Sequence, residues 1–250
     1  MLLSEIETGF PIAVIDGTLC TQLRTAAVGC VAAKYLAPKK VETVGFIGAG
    51  VEARMHFTLL KHLFPSIRTC KVASRHSATE DRFIAEFDKI IPDVHFIACR
   101  GDNSQAVADT DIIVTAISGQ APVLKARDVR AGMLYIHVGG WEDEYGVALK
   151  ADKIVCDDWN ASKHRTQTIC RMYKEGLLKD KDIYADLAEI IAGQKKGRES
   201  DEEFIYFNSV GLSYIDLNFA HEIYREASLL GLGRDIVLAE SDRVDYRCFI

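Results

Sequence analysis

The chain has 250 residues, enough for one large domain or two small ones with a substantial core. Hydrophobic residues make up 48% and charged residues 26%, and the formal net charge of −6 argues against nucleic acid or an anionic membrane as the main partner. No apolar stretch approaches the roughly 20 residues of a membrane span, and the N-terminus lacks the pattern of a signal peptide. The seven cysteines are scattered without a CxxC pair. They predict buried thiols in a reducing compartment, with the cytoplasm as the default, and neither a disulfide framework nor a metal site.

The first segments predict a hairpin and a helix. "MLLSEIETGFPIAVIDGT" contains two short apolar runs around an "ETGFP" turn, which is typical of a β-hairpin. The next segment, "TLCTQLRTAAVGCVAAKYLA", repeats apolar residues at helical spacing and stops before "PKK". It predicts a helix of about five turns.

From residue 41 onward, short apolar runs alternate with helical stretches. Strands are predicted at 43–48, 70–74, 94–98, 111–117, 133–138 and 153–157, with helices over 51–64, 78–90 and 103–108. Alternation of this kind indicates an α/β protein with a doubly wound parallel sheet covered on both faces. After residue 159 the pattern is mainly helical, with one more strand at "EFIYFN", an exposed loop over 193–203 and a long helix over 213–230.

A glycine-rich turn lies between the first of these strands and its helix. Gly48, Gly50 and Ala53 fit the pattern GxGxx(G/A), and Ala49, Val51 and Glu52 complete the turn. The first glycine permits the tight turn, and the second lets a pyrophosphate approach the helix N-terminus. This context predicts a Rossmann-type dinucleotide site, and a ligand-free turn is the less favoured alternative.

The end of the second strand bears on which dinucleotide is bound. An NAD site usually has an acidic residue there for the ribose 2′-hydroxyl. Here the positions are Ser74, Arg75, His76 and Ser77, and the nearest acid, Glu80, falls inside the next helix. A guanidinium and hydroxyls suit a 2′-phosphate, so NADP(H) is favoured and NAD(H) is the alternative.

Several segments together resemble the ornithine cyclodeaminase/mu-crystallin family. They are "DGTLCTQLRTAAVGCVAAKYLA", "VGFIGAGVEARMHF", "ADTDIIVTAISGQAPVL", "HVGG" and "FNSVGLSYIDL…YREA", in the same order and at similar spacing. The resemblance implies a Rossmann domain, here 38–209, beside a substrate and dimerisation domain. Residues 1–37 and 210–250 would be a remnant of that second domain, because family members carry a longer N-terminal segment. It also implies a homodimer and hydride exchange at the Cα of an amino acid, through an imine.

The resemblance implies a role for individual residues. Arg24 would bind the substrate carboxylate or lie near the phosphates, and Thr25 would contact the pyrophosphate. An arginine among small residues of an apolar helix itself indicates an anionic partner, although a side chain extending to the helix edge is an alternative. The positions expected to line the cofactor groove or the nicotinamide are Thr115, Ala116, Ser118, His137, Val138, Gly139, Ser209 and Gly211. For Ser118 and Ser209 alone, a capping or turn role is an equal alternative.

The chain departs from the family pattern after Gly139-Gly140. The family aspartate is replaced by Trp141, and three acids follow it. Asp143, or Glu142 as the second choice, could exchange a proton with the substrate amine, while a solvated turn is the alternative.

The expected function is therefore an NAD(P)(H)-dependent oxidoreductase or cyclodeaminase acting on an amino or imino acid. The main alternative is a non-catalytic NADP(H)-binding protein like the crystallins of the family, or a truncated inactive fragment. A weaker alternative is a Rossmann reductase without amino-acid chemistry. No residue of the sequence separates net redox from cyclodeamination.

Overall fold

A computed structural model describes residues 1–237, which fold as two compact units. One unit consists of Met1–Gly17 and the segment from Leu217 onward, and the other of Thr18–Asp216. The expected division into a dinucleotide-binding domain over 38–209 and a substrate domain from the flanking segments stays a prediction. The C-terminal segment "SDRVDYRCFI" lies outside the described residues.

The helices and strands in chain order are β1 (Leu2–Ser4), β2 (Pro11–Val14), α1 (Thr18–Leu36), β3 (Thr43–Ile47), α2 (Val51–Leu63), β4 (Thr69–Ala73), α3 (Ser77–Phe87), β5 (His95–Ala98), α4 (Asn103–Val107), β6 (Ile112–Thr115), β7 (Leu134–His137), α5 (Tyr145–Lys150), β8 (Lys153–Cys156), α6 (Trp159–Ser162), α7 (Thr168–Lys174), β9 (Ala185–Asp186), α8 (Leu187–Ile191), β10 (Ile205–Asn208) and α9 (Ser213–Leu229). A short 3₁₀ turn occupies Asp180–Asp182.

The larger unit is built on one eight-stranded sheet. Its spatial order is β5-β4-β3-β6-β7-β10-β8-β9, and all neighbouring strands are parallel. The chain runs outward from β3 to β5 and then returns to the other side of β3 with β6. This reversal opens a crevice at the carboxyl ends of β3 and β6, where open α/β sheets bind their ligands.

Two apolar layers cover the two faces of the sheet. Successive residues of β10 contribute to different layers: Phe207 packs in the first layer and Tyr206 in the second. The first layer is filled from α1, α2, α3 and α8, and the second from α4, α5, α6 and α7. The prediction of a doubly wound, Rossmann-type sheet is confirmed.

Two details after residue 159 differ from the sequence prediction. The expected continuous helix is divided into α6 and α7, because Gln167 has extended backbone and begins a new helix. The stretch "DIYADLAEIIAG" supplies the edge strand β9 before its helix. The loop 193–203 is also more firmly held than an exposed loop, since Arg198 Nε donates to the Leu36 carbonyl at 2.7 Å.

The smaller unit contains the hairpin that the first residues predict. β1 and β2 pair antiparallel, and the Glu5 N–H donates to the Phe10 carbonyl at 2.9 Å across the turn. Gly9 in that turn has φ +71°, a conformation that favours glycine. Among residues 1–237, no helix is both long and apolar enough to cross a membrane.

Candidate active site

The glycine turn after β3 has the geometry of a phosphate-binding turn. Gly48 has φ +107°, and a Cβ there would collide with the Ala116 carbonyl, so only glycine fits. Gly50 has φ −81°, and a Cβ there would meet nothing within 4 Å. The open space beside Gly50 faces the first N–H groups of the 13-residue helix α2, and this is the space that a pyrophosphate would fill.

A cavity of about 700 Å³ extends from this turn along the carboxyl ends of β3, β4 and β6. The predicted residues that line it are Gly48, Ala49, Gly50, Ser74, Arg75, His76, Ala116 and Ser118. Arg75 makes no hydrogen bond or ion pair with any residue in the range 1–237, so its guanidinium is available to a ligand. Ser77 is the first residue of α3 and does not line the cavity.

The acid nearest to the second strand, Glu80, is a structural residue that the sequence did not reveal as such. Its side chain is fully buried and accepts backbone N–H groups of Ser74 at 2.7 Å, Arg100 at 2.7 Å and Gly101 at 2.9 Å. These bonds join the loop after β4 to the loop after β5. The described residues that line the large cavity include no carboxylate at the ribose end.

A second cavity of about 270 Å³ shares three lining residues with the first, Ala116, Ile117 and Ser118. The other residues that line it are Arg24, Thr25, Glu52, Val138, Gly139, Ser209, Val210 and Gly211. The two cavities share a wall, and most of the residues that the sequence names for a cofactor groove line one or the other. Their role in binding stays a prediction.

Arg24 points its guanidinium into the second cavity. Its Nε donates to Asp216 Oδ1 at 2.7 Å, and its side chain is only 13% exposed. No bond from its terminal amino groups to a residue of the described chain is formed, so they are free for an anion. Gly211, with φ +84°, lies against them, and a Cβ there would come within 2.7 Å of Nη1. Asp216, 192 residues away in sequence, was not predicted.

Thr25 and Val51 flank the turn in different ways. Thr25 lines the second cavity, and its hydroxyl donates to the Thr21 carbonyl at 2.7 Å. Val51 begins α2 and is 49% exposed, but it lines neither cavity. Val51 is therefore placed at the turn without a side-chain role in the groove.

Glu52, the second residue of α2, turns its carboxylate toward Arg24. Its Oε2 is buried and has no hydrogen-bond partner among the described residues. Burial raises the pKa of this carboxyl from 4.5 to about 7, and Arg24 opposes the increase. His56, one turn further along, is fully buried, and its Nδ1 is 2.8 Å from the Glu52 carbonyl oxygen.

The acidic loop after β7 is not a solvated turn. Glu142 and Asp143 are both fully buried, and neither lines a cavity. Glu142 accepts the Thr115 hydroxyl at 2.7 Å and the backbone N–H groups of Ile117 at 2.6 Å and Gly139 at 2.9 Å. It therefore joins the two loops that form the wall of the second cavity. Its proposed proton exchange with a substrate stays a prediction.

Asp143 belongs to a buried polar cluster behind that wall. It accepts the hydroxyl groups of Thr168 at 2.6 Å and Tyr206 at 3.1 Å, and burial raises its pKa from 3.8 to about 6. His137, also fully buried, has its Nδ1 2.9 Å from Asn208 Oδ1 and its Nε2 3.4 Å from Glu142 Oε2. Thr115 and His137 thus support the groove from behind, whereas Ala116 and Val138 line it.

The loop of Ser209 and Gly211 is held by Asp157. This carboxylate, at the end of β8, accepts the N–H groups of Val210 at 2.7 Å and Gly211 at 2.9 Å. Its own burial raises its pKa. These contacts give Asp157 a structural role in this loop.

The fold and this groove define a dinucleotide-binding protein of the Rossmann type. The chain belongs to the ornithine cyclodeaminase/mu-crystallin family, whose model matches residues 1–229.

Three similar proteins illustrate the relationship. The alanine dehydrogenase of Archaeoglobus fulgidus is 34% identical over 240 residues, which cover 94% of this chain and 72% of that protein. The N-((2S)-2-amino-2-carboxyethyl)-L-glutamate dehydrogenase of Staphylococcus aureus is 29% identical over 95% of this chain and 70% of its own length. The structure of the Thermococcus litoralis Δ1-pyrroline-2-carboxylate reductase in complex with NADH and L-proline superimposes with a TM-score of 0.86. Its sequence is 32% identical, and the match covers 94% of this chain and 73% of that one.

Proposed function

We propose that the chain is a nicotinamide-dependent oxidoreductase or cyclodeaminase that acts at the Cα of an α-amino acid through its imine. The observation that carries the proposal is the juxtaposition of two cavities that share a wall. One follows the glycine turn, and the other presents the free end of Arg24. The family relationship supports the same reaction, since the similar proteins named above are amino-acid dehydrogenases and an imine reductase.

A nicotinamide dinucleotide fits the residues of the larger cavity. Gly50 leaves space for phosphate at the N-terminus of α2, and the groove continues to Val138 and Gly139, where a nicotinamide ring would lie. When bound, the nicotinamide supplies or accepts the hydride. The chain's own part is to hold the substrate carbon against it and to keep water away.

NADP(H) is the favoured form of the cofactor. Arg75 lies at the mouth of the larger cavity without a partner among the described residues, beside the hydroxyl of Ser74. Glu80, the acid nearest to the end of β4, accepts three backbone N–H groups and does not line the cavity. A 2′-phosphate would gain charge-assisted hydrogen bonds from Arg75 that a hydroxyl cannot replace.

Arg24 is the proposed anchor of the substrate carboxylate. Asp216 holds the guanidinium through Nε, and the terminal amino groups that remain can form two parallel bonds with a carboxylate. Gly211 leaves these groups uncovered because it has no side chain. The same residues would serve net oxidation, reduction or cyclodeamination, and homodimer formation in the cytoplasm remains part of this proposal.

Parallel titrations with NADPH and NADH, followed by nicotinamide fluorescence, test the cofactor. We expect tighter binding of NADPH and competition by 2′-phospho-AMP. Arg75→Ala should weaken NADPH binding about 10- to 100-fold, the loss of one charge-assisted interaction, and leave NADH binding nearly unchanged. Arg82→Ala, which removes an exposed arginine of α3 outside the cavity, is the matched control. Equal affinity for both cofactors, unchanged in Arg75→Ala, would contradict the assignment.

A screen of α-amino acids and cyclic imines with the preferred cofactor tests the reaction. Conversion of a substrate should depend on Arg24, and Arg24→Lys should raise KM because an ammonium cannot replace a bidentate guanidinium. Cofactor binding without conversion of any amino or imino acid would favour the non-catalytic alternative. Activity on simple ketones alone would favour a reductase of another substrate class.

A further inference from the structure

We propose that Glu52 is the residue that exchanges a proton with the substrate nitrogen, an inference that rests on the function proposed above. The sequence directs attention to the acidic residues after Gly140 for this role. The structure instead presents a carboxylate from the glycine turn itself, on the same side of the groove as Arg24.

The position of Glu52 fits a group that meets a ligand. It lines the second cavity together with Arg24, Gly139 and Ser209. Its side chain is 30% exposed, so it has access to the cavity, while Oε2 is buried without a hydrogen-bond partner in residues 1–237. A buried carboxylate oxygen without a partner disfavours the charged form, so the carboxyl holds a proton more readily. The exposed part of the same side chain is where a substrate N–H would meet the carboxyl.

The charged and titratable groups around Glu52 are few. Arg24 faces it from α1, and His56 lies on its own helix with Nδ1 at 4.0 Å from Oε2. Burial lowers the pKa of His56 to about 4, so the imidazole is neutral near pH 7 and adds no positive charge. Its Nδ1 is already bonded to the Glu52 carbonyl oxygen. The Arg24 guanidinium is thus the nearby positive charge that opposes the rise in the pKa of this carboxyl.

The protonation behaviour agrees with this geometry. Burial outweighs Arg24 and brings the carboxyl pKa to about 7. An acid or base with a pKa near the working pH is the most effective proton exchanger, because both of its forms are populated. Asp143 also has a raised pKa, but it is fully buried behind the wall and bonded to hydroxyl groups. Glu52 is therefore favoured over Asp143 as the proton exchanger, because it has a raised pKa and also lines the cavity.

The proposed step balances as follows. In the direction of reduction, a bound reduced nicotinamide would supply hydride to the imine carbon, the π electrons of the C=N bond would move to nitrogen, and nitrogen would take the proton of the Glu52 carboxyl, which regains one from solvent. In the direction of oxidation, Cα would give up its hydrogen as hydride to the oxidised nicotinamide, the C=N bond would form, and the Glu52 carboxylate would accept the proton that nitrogen loses. No further reactant is required.

The test compares Glu52→Gln with Glu52→Asp and with Glu226→Gln, which removes an exposed carboxylate of α9. Glu52→Gln should lower kcat by about 10²- to 10⁴-fold while the dissociation constant of the cofactor changes only a few-fold. The limb of the pH–rate profile near pH 7 should disappear. Glu52→Asp should keep that limb and recover part of kcat, which a merely structural role would not predict. Glu226→Gln should behave as the wild type.

A second readout does not depend on turnover. Carboxyl ¹³C resonances of glutamate-labelled protein, titrated from pH 4 to 9 without cofactor, should include one that titrates near 7 and is lost in Glu52→Gln. Wild-type kcat and pH profile in Glu52→Gln would overturn the inference and leave the proposed function standing. A wild-type protein that binds the cofactor but converts no amino or imino acid would overturn both. Absence of the high-pKa resonance would overturn the inference alone.

Discussion

Replacing the buried Glu80 with glutamine should destabilise the protein, whereas the matching change at Asp81, an exposed acid of the same helix, should not. Glu80 Oε1 accepts the N–H groups of Ser74 and Gly101, and Oε2 accepts that of Arg100. The single oxygen of a glutamine can accept the N–H groups that one carboxylate oxygen accepts now, but its NH₂ group must then face a buried backbone N–H. We expect a loss of about 2–4 kcal/mol, from one unsatisfied buried donor and from weaker bonds to a neutral acceptor. For a domain of this size that loss corresponds to a Tm lower by roughly 4–16 °C.

The neighbouring residue supplies the control. Asp81 forms an ion pair with Arg100 at 2.7 Å, but the two side chains are 56% and 57% exposed. Asp81→Asn should therefore change the free energy of unfolding by less than about 1 kcal/mol. Urea and thermal denaturation of the three proteins measure the difference. The reasoning is refuted if Glu80→Gln and Asp81→Asn are equally stable. Since Ser74 and Gly101 line the large cavity, Glu80→Gln should also weaken dinucleotide binding.

Three further predictions follow from individual contacts. Gly48→Ala should lower both the stability and the cofactor affinity, because φ is +107° and the new Cβ collides with the backbone. Gly50→Ala should keep the wild-type stability and lower the cofactor affinity alone. Equal melting temperatures of the two variants would contradict this. Gly29→Ala should cost about 1–3 kcal/mol in urea denaturation, because its Cβ would lie 2.8 Å from Nε2 of the buried His56, and a smaller cost in a His56→Ala background would confirm the contact. The raised pKa of Asp143, about 6, means that the folded state binds this proton more tightly than the unfolded state, so its contribution to stability is lost as the pH rises from about 4 to about 6. Relative to the wild type, Asp143→Asn should therefore gain up to about 3 kcal/mol across that window, and a pH-independent difference in unfolding free energy would contradict the burial of the charge.

The sequence predicted the parts of the molecule that depend on local pattern. Alternating apolar runs and helices are enough to predict a doubly wound parallel sheet, and the glycine pattern is enough to predict a tight turn between β3 and α2. The pairing of Arg24 with Asp216 depends on contacts across 192 residues, so no local pattern could have revealed it. The division of the helical stretch after residue 159 was missed for a similar reason. Tertiary contacts of that segment, including the 2.8 Å bond from the Trp159 N–H to Asp186 Oδ1, override its helical spacing.

The acidic residues after Gly140 show where local pattern fails most clearly. Glu142, Asp143 and Glu144 are consecutive acids, yet each has a different environment. Glu142 accepts N–H groups from two loops, Asp143 lies in a polar cluster, and the exposed Glu144 accepts the Ala126 N–H at 2.9 Å. A run of acids usually indicates solvation, and here that expectation is wrong for the first two, since both are fully buried. Partners distant in sequence, the Ile117 N–H for Glu142 and the Thr168 and Tyr206 hydroxyl groups for Asp143, hold these carboxylates inside.

Strand parity explains which of the predicted residues reach the groove. Successive side chains of a strand point to opposite faces, so a residue at the end of a strand and the one after it have different neighbours. Thr115 and His137 point toward the second apolar layer, beside Tyr135, and Glu142 approaches them there. The prediction named both members of each pair because it used the strand ends alone. Parity counted along β7 from Tyr135 places His137 on the face of the second layer, and Thr115 shares that face because it is the register partner of His137 in β6. Glu52, the second residue of α2, lies on the other side of that wall, among the residues that line the second cavity.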